Sequence, residues 1–231
     1  DDLGNAGIII ENLKTYHNIC KIAYKHNYQV CTHAIGDSAN RLMLNIYGKY
    51  LKGPNDRRWR IEHAQVIHPD DFELFDRYDI IPSVQTTHAT SDMYWAEDRL
   101  GKERLTYAYA YKKLLEQNQW IPNGSDFPVE KINPLYGFFA AVFRKDLKGW
   151  PEKGFQTENA LTRQQALKAM TIWAAKAAFE EHEKGSIEPG KFADFTVLDT
   201  DIMKATEEKI PHAKVLMTVI GGETVYVAGK K

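Results

Sequence analysis

The chain has 231 residues, of which 43% are hydrophobic and 26% charged, with a formal net charge of −1. A chain of this size buries a core without staples, and its charge balance excludes the basic footprint of a nucleic-acid-binding surface. Cys20 and Cys31 are too few for a disulfide framework and form no C-x-x-C pair, which excludes a zinc ribbon; no run approaches the about 20 apolar residues of a membrane span.

Ile9, Leu13, Tyr16, Ile19, Cys20 and Ala23 recur near helical spacing and predict a helix over 8–26. A strand follows over 29–35, then a helix over 39–50 closed by the turn cluster Gly53-Pro54-Asn55-Asp56. The second strand is expected over 59–66, a helix from Pro69 to Tyr78, and the third strand over 80–87. A long loop is expected over 88–101, a helix over 102–118 and a fourth strand over 120–125. Pro134 opens a helix to Phe143. The pattern Thr162-x-x-Gln165 is a capping box that opens an Ala-rich helix to Phe179. Beyond Gly185 the pattern turns to β, at 195–198 and 215–227, with Gly221-Gly222 as a hairpin turn.

Four strand-then-helix units imply a parallel sheet with helices outside it. A whole (β/α)₈ barrel takes roughly 250 residues, so four units and a β tail read as half a barrel followed by part of a separate β domain. A free-standing doubly wound, flavodoxin-like sheet ranks second, because no Gly-rich phosphate loop follows any strand.

Each predicted strand ends in chemistry: His33, His63, His88 and Asp126 lie at the four C-terminal ends, where an α/β barrel builds its active site. Alternation puts His63 on the face of Ile61 and Gln65, and His33 on that of Cys31 and Ile35. With those faces turned inward, His33, His63 and Asp126 converge, and two imidazoles with a carboxylate suit Zn²⁺, Fe²⁺ or Mn²⁺. Each residue alone has a plainer reading, as a hydrogen-bonded core histidine or, for Asp126, a helix cap. Glu62 faces away from His63 and reads as structural, paired with Arg60. Cys31, Trp120 and Trp173 read as core. Tyr107 and Tyr111, four apart, read as one helix face packed on the barrel, with a lid over an apolar pocket as the functional alternative.

The motifs themselves are recognisable. Thr32-His33-Ala34-Ile35-Gly36-Asp37, Arg60-Ile61-Glu62-His63-Ala64-Gln65, His88-Ala89-Thr90-Ser91-Asp92 and Gly124-Ser125-Asp126-Phe127-Pro128-Val129 resemble, in order, the segments after barrel strands five to eight of amidohydrolase family 3, the YtcJ-like metal-dependent hydrolases. The run from Lys184 to Asp194 is similar to the superfamily's C-terminal signature. The resemblance implies the C-terminal half of a TIM barrel over 1–183 and the closing strands of a β-sandwich over 184–231. It implies hydrolysis of an amide or related C–N bond in a small-molecule substrate, through a water activated by one or two divalent ions, Zn²⁺ before Fe²⁺ or Mn²⁺. His33 and His63 would be metal ligands. Asp126 would bind or approach the metal and take the proton of the attacking water. His88 would face the substrate and orient it or its transition state.

Two departures limit that expectation. Gln85-Thr86-Thr87 stands where the family has Gln-Pro, and the sequence holds no His-x-His pair, which the family uses after its first strand. The chain is therefore expected to hold part of a site and to be inactive alone. Its partners would be the N-terminal half of the same protein and, through open sheet edges, further copies in a homo-oligomer. A non-enzymatic metal-binding or regulatory protein on the same scaffold is the alternative. The chain opens on Asp1-Asp2-Leu3-Gly4, without Met. Targeting is thus unread; the cytoplasm is the default compartment, with export left open.

Overall fold

The computed structural model describes residues 7–230, so Asp1-Asp2-Leu3-Gly4 lies outside the described residues. The chain divides into two compact units, Asp1–Ile121 and Pro122–Lys231. None of the described helices is long and apolar enough to cross a membrane.

The first unit is built on a parallel sheet. Helix α1 (Leu13–His26) starts where the Asn12 side chain accepts from the Thr15 N–H, and ends at Asn27 in the left-handed region (φ 58°). Strand β1 (Cys31–Ala34) leads into α2 (Asp37–Leu51), and β2 (Arg60–His63) into a 3₁₀ turn (Pro69–Asp71) and α3 (Phe72–Arg77). Strand β3 (Ile81–Ser83) is followed by α4 (Thr87–Asp92), α5 (Ala96–Leu105) and α6 (Tyr111–Asn118). The sheet order β1-β2-β3 is the chain order, with both pairs parallel, the arrangement expected when helices make the crossovers. The core of this unit centres on Trp59, which is fully buried. Its indole N–H donates to the Tyr28 carbonyl at 3.0 Å and its ring meets Tyr47 edge-on at 5.0 Å. Cys20 belongs to the same core, and burial pushes its thiol up to about 11.

Several expectations need correction here. The loop expected over 88–101 is largely helical, and the helix expected over 102–118 is two helices, α5 and α6, with Gly101 (φ 72°, ψ 161°) kinking α5. Tyr107 lies outside α6 and so shares no helix face with Tyr111. The fourth strand does not form: within 120–125 only Asn123 makes a bridge. Cys31 is exposed, because β1 is an edge strand among the described residues, and Trp120 and Trp173 are only half-buried.

The second unit follows its sequence signals closely. In α7 (Pro134–Phe143), Pro134 takes the first turn and the Asn133 side chain accepts from the Leu135 N–H at 3.0 Å. The capping box is present at α8 (Arg163–Met170): Thr162 Oγ accepts from the Gln165 N–H, and Gln165 Oε1 accepts from the Thr162 N–H. The Ala-rich helix breaks at Thr171 (φ −127°, ψ −97°) before resuming as α9 (Ile172–Ala177). Gly185 lies so close to that break that a Cβ would sit 2.8 Å from Ile172 Cα. Strands β4 (Phe195–Leu198), β5 (Val215–Ile220) and β6 (Glu223–Val227) form an antiparallel sheet in chain order. Gly221 (φ 59°) and Gly222 (φ 84°) supply the two positive angles of the hairpin turn. Thr162→Ala should cost about 1 kcal/mol, read as a lower denaturation midpoint in urea at unchanged slope.

Candidate metal centre

Three histidines of the first unit, His33, His63 and His88, come together at the C-terminal ends of its strands. His33 is the third residue of β1, His63 the last of β2, and His88 the second of α4, just past β3. The His33 and His63 ring centroids are 4.5 Å apart and the His63 and His88 centroids 5.6 Å. His63 and His88 are buried, and ligand nitrogens of the two lie within 4.8 Å of each other; His33 is exposed on the sheet edge.

Strict alternation does not produce this row. Ile61 is in register with Thr32, whose hydroxyl bonds Tyr47 of α2 at 2.6 Å, so that face meets the helices. His33 is in register with Glu62, on the other face, where Arg60 and Glu62 form the expected ion pair at 2.9 Å. A regular strand would carry His63 to the helix side with Ile61. Instead the backbone turns left-handed at His63 (φ 77°) and Ala64 (φ 45°), and the ring meets His33. Two consecutive non-glycine residues in that region cost free energy and are held by their surroundings. The expected shared face of His63 and Ile61 is therefore corrected.

Two sets of hydrogen bonds hold the loops that carry these rings, and neither was singled out from the sequence. Asn40, fully buried on α2, places its amide nitrogen 2.9–3.2 Å from the carbonyls of Ala34, Ile35, Gly36 and Val66, joining the chain after His33 to the chain after His63. Asp92, the last residue of α4, accepts at one carboxylate oxygen from the Gln65 amide (3.1 Å) and the Tyr109 hydroxyl (2.9 Å). Burial, and next the Asp92 carboxylate, hold the Tyr109 phenol well above its ordinary pKa, so it stays a donor. The available signal was spacing: Gln65 lies two residues beyond His63, and Asp92 one helical turn beyond His88.

Asp126 belongs to the second unit, half-buried and left-handed (φ 59°), in a turn where its carbonyl accepts from the Val129 N–H at 2.8 Å. The helix that follows is capped by Asn133, so Asp126 is not a helix cap. A separate cavity of about 460 Å³ in the first unit is lined by Asp37, Ile67, His68, Lys102 and Arg104 among others, and by none of His33, His63 and His88. Imidazole nitrogens in a buried setting are the donors that Zn²⁺ and its first-row neighbours take, whereas Ca²⁺ and Mg²⁺ require oxygen. The residues present therefore fit a borderline divalent ion.

The chain as a whole is similar to known proteins. A profile of the amidohydrolase family matches residues 6–226. The chain is 38% identical over 229 residues to the protein LONG AFTER FAR-RED 3 of Arabidopsis thaliana, covering 98% of this chain and 39% of that protein. It is 32% identical over 226 residues to the putative amidohydrolase YtcJ of Bacillus subtilis, covering 98% and 42%. Among solved structures, an uncharacterized metal-dependent hydrolase from Pyrococcus horikoshii superposes with a TM-score of 0.77 at 28% identity, over 90% of this chain and 41% of that one. The chain thus spans about two fifths of the length of the curated relatives it matches.

Proposed function

The chain belongs to the amidohydrolase family, and from that premise we propose that it carries part of the active site of a metal-dependent hydrolase. The bond cleaved is a non-peptide amide or related C–N bond of a small-molecule substrate. The observation that carries this reading is the row of imidazoles His33, His63 and His88 on three consecutive strand ends. A parallel sheet whose spatial order follows the chain order supports the C-terminal half of a TIM barrel, with the antiparallel sheet of the second unit as part of a β-sandwich over 184–231.

His63 stands between the other two rings, so it is a ligand whichever neighbour joins it. His33 is the second ligand by its motif. His88 either completes the set or faces the substrate, where it orients the carbonyl. A bound divalent ion, Zn²⁺ before Fe²⁺ or Mn²⁺, polarises the carbonyl and lowers the pKa of water toward about 7. Asp126, assigned by its motif, accepts the proton of the attacking water and returns it to the leaving nitrogen.

Elemental analysis of the purified, dialysed chain tests the reading. About one equivalent of Zn, Fe or Mn per chain is expected. A chain that takes up none, even after incubation with Zn²⁺, would mean that the centre is not assembled in this chain, and the same analysis of the full-length protein then decides the metal role of this row of histidines. Hydrolysis of an amide panel by the full-length protein then tests the bond class.

A further inference from the structure

The proposed centre depends on a helix that cannot hold itself in place. Helix α4 has six residues and no side-chain cap at its N-terminus. A helix that short has no stability of its own, so its tertiary contacts decide where His88 points. Two of those contacts come from one segment. Tyr111 donates its hydroxyl to the Gln85 carbonyl (3.1 Å), just upstream of α4. Tyr109 donates its hydroxyl to Asp92 (2.9 Å), at the downstream end. Both phenols are fully buried.

Asp92 also closes the link to the other histidine. Gln65, two residues beyond His63, donates to Asp92, and the Gln65 carbonyl accepts from the Tyr109 N–H at 2.7 Å. The β2 end and α4 are thus joined twice, once where the His63 and His88 rings meet and once, a turn further along, through Gln65 and Asp92. We propose that Asp92, braced by Gln65 and Tyr109, is the positioning residue that sets the spacing of the His63–His88 pair. It touches no reacting atom; it fixes the register of α4 against the β2 end. Its chemical meaning rests on the function proposed above, whereas the positioning itself is a property of the metal-free chain.

The test uses the intact 231-residue chain without metal, with labelled histidine and tyrosine. The nuclear Overhauser contact between the His63 and His88 rings is compared with the one between His17 and Tyr50, whose centroids are 6.0 Å apart elsewhere in the same unit. Asp92→Asn and Tyr109→Phe are expected to weaken the His63–His88 contact several-fold and leave the His17–Tyr50 contact intact. An unchanged His63–His88 contact in both variants overturns the proposal. If Asp92→Asn loses both contacts by unfolding, Tyr109→Phe, which removes a single oxygen, decides. A second arm measures Zn²⁺ affinity, expected to fall about 10-fold or more in Tyr109→Phe. Wild-type chain that binds no Zn²⁺ but shows the contact changes would mean that the metal centre is not assembled in this chain and would leave the positioning role standing.

Discussion

Asp126→Asn in the full-length protein is expected to lower kcat by about 10²- to 10⁴-fold, the range that a positioned proton-transfer group contributes, with no change in thermal midpoint. The substitution suits the site. Asp126 holds a left-handed backbone angle of 59°, which Asn tolerates better than almost any other side chain. The turn around it is tied by the Asp126 carbonyl to Val129 and by the Ser125 hydroxyl to the Phe127 N–H, neither of which uses the carboxylate. What is lost is proton affinity: an amide oxygen cannot accept and return the proton at neutral pH. A kcat loss with metal content unchanged would assign Asp126 to proton transfer alone, and a parallel loss of metal would make it a ligand as well. Normal turnover would remove it from the mechanism.

Periodicity and motif were legible at different places, for different reasons. The strand ends, α2, α7 and the capping box at Thr162 follow local rules that packing does not override. Helix α4 was unreadable because its residues, Thr-His-Ala-Thr-Ser-Asp, are mostly poor helix formers that prefer turns. The phenols of Tyr109 and Tyr111, 17 and 26 residues away from the groups they bond, hold it in place. The fourth strand failed for the converse reason: only Trp120 and Ile121 are apolar before Pro122, Asn123 and Gly124, residue types depleted in strands. The facing of His63 departs from alternation, which assumes a regular backbone, because β2 ends on left-handed His63 and Ala64 follows in the same region. The family motifs pointed to the same histidines without that assumption, since a motif records a position and not the angle that reaches it.

Replacing His63 should have the larger effect on metal binding. Asn is the informative substitution, because His63 sits at φ 77° and Asn adopts that region at little cost. Alanine would confound ligand loss with backbone strain and a cavity. His63→Asn removes the ring that meets both His33 and His88. Zn²⁺ affinity should fall by at least the roughly 100-fold upper range seen when a ligand merely loses its supporting partner, while circular dichroism and the thermal midpoint stay near wild type. His33→Asn should cost less: His33 is exposed on the sheet edge, so water can occupy its coordination position without first being taken out of bulk solvent. His88→Asn separates its two roles, lowering affinity if the ring is a ligand and lowering only turnover of the full-length protein if it faces the substrate. Isothermal titration of the three variants with Zn²⁺ gives the order. His63→Asn binding as tightly as wild type would move the centre away from the β2 end and leave its left-handed backbone without a functional cause.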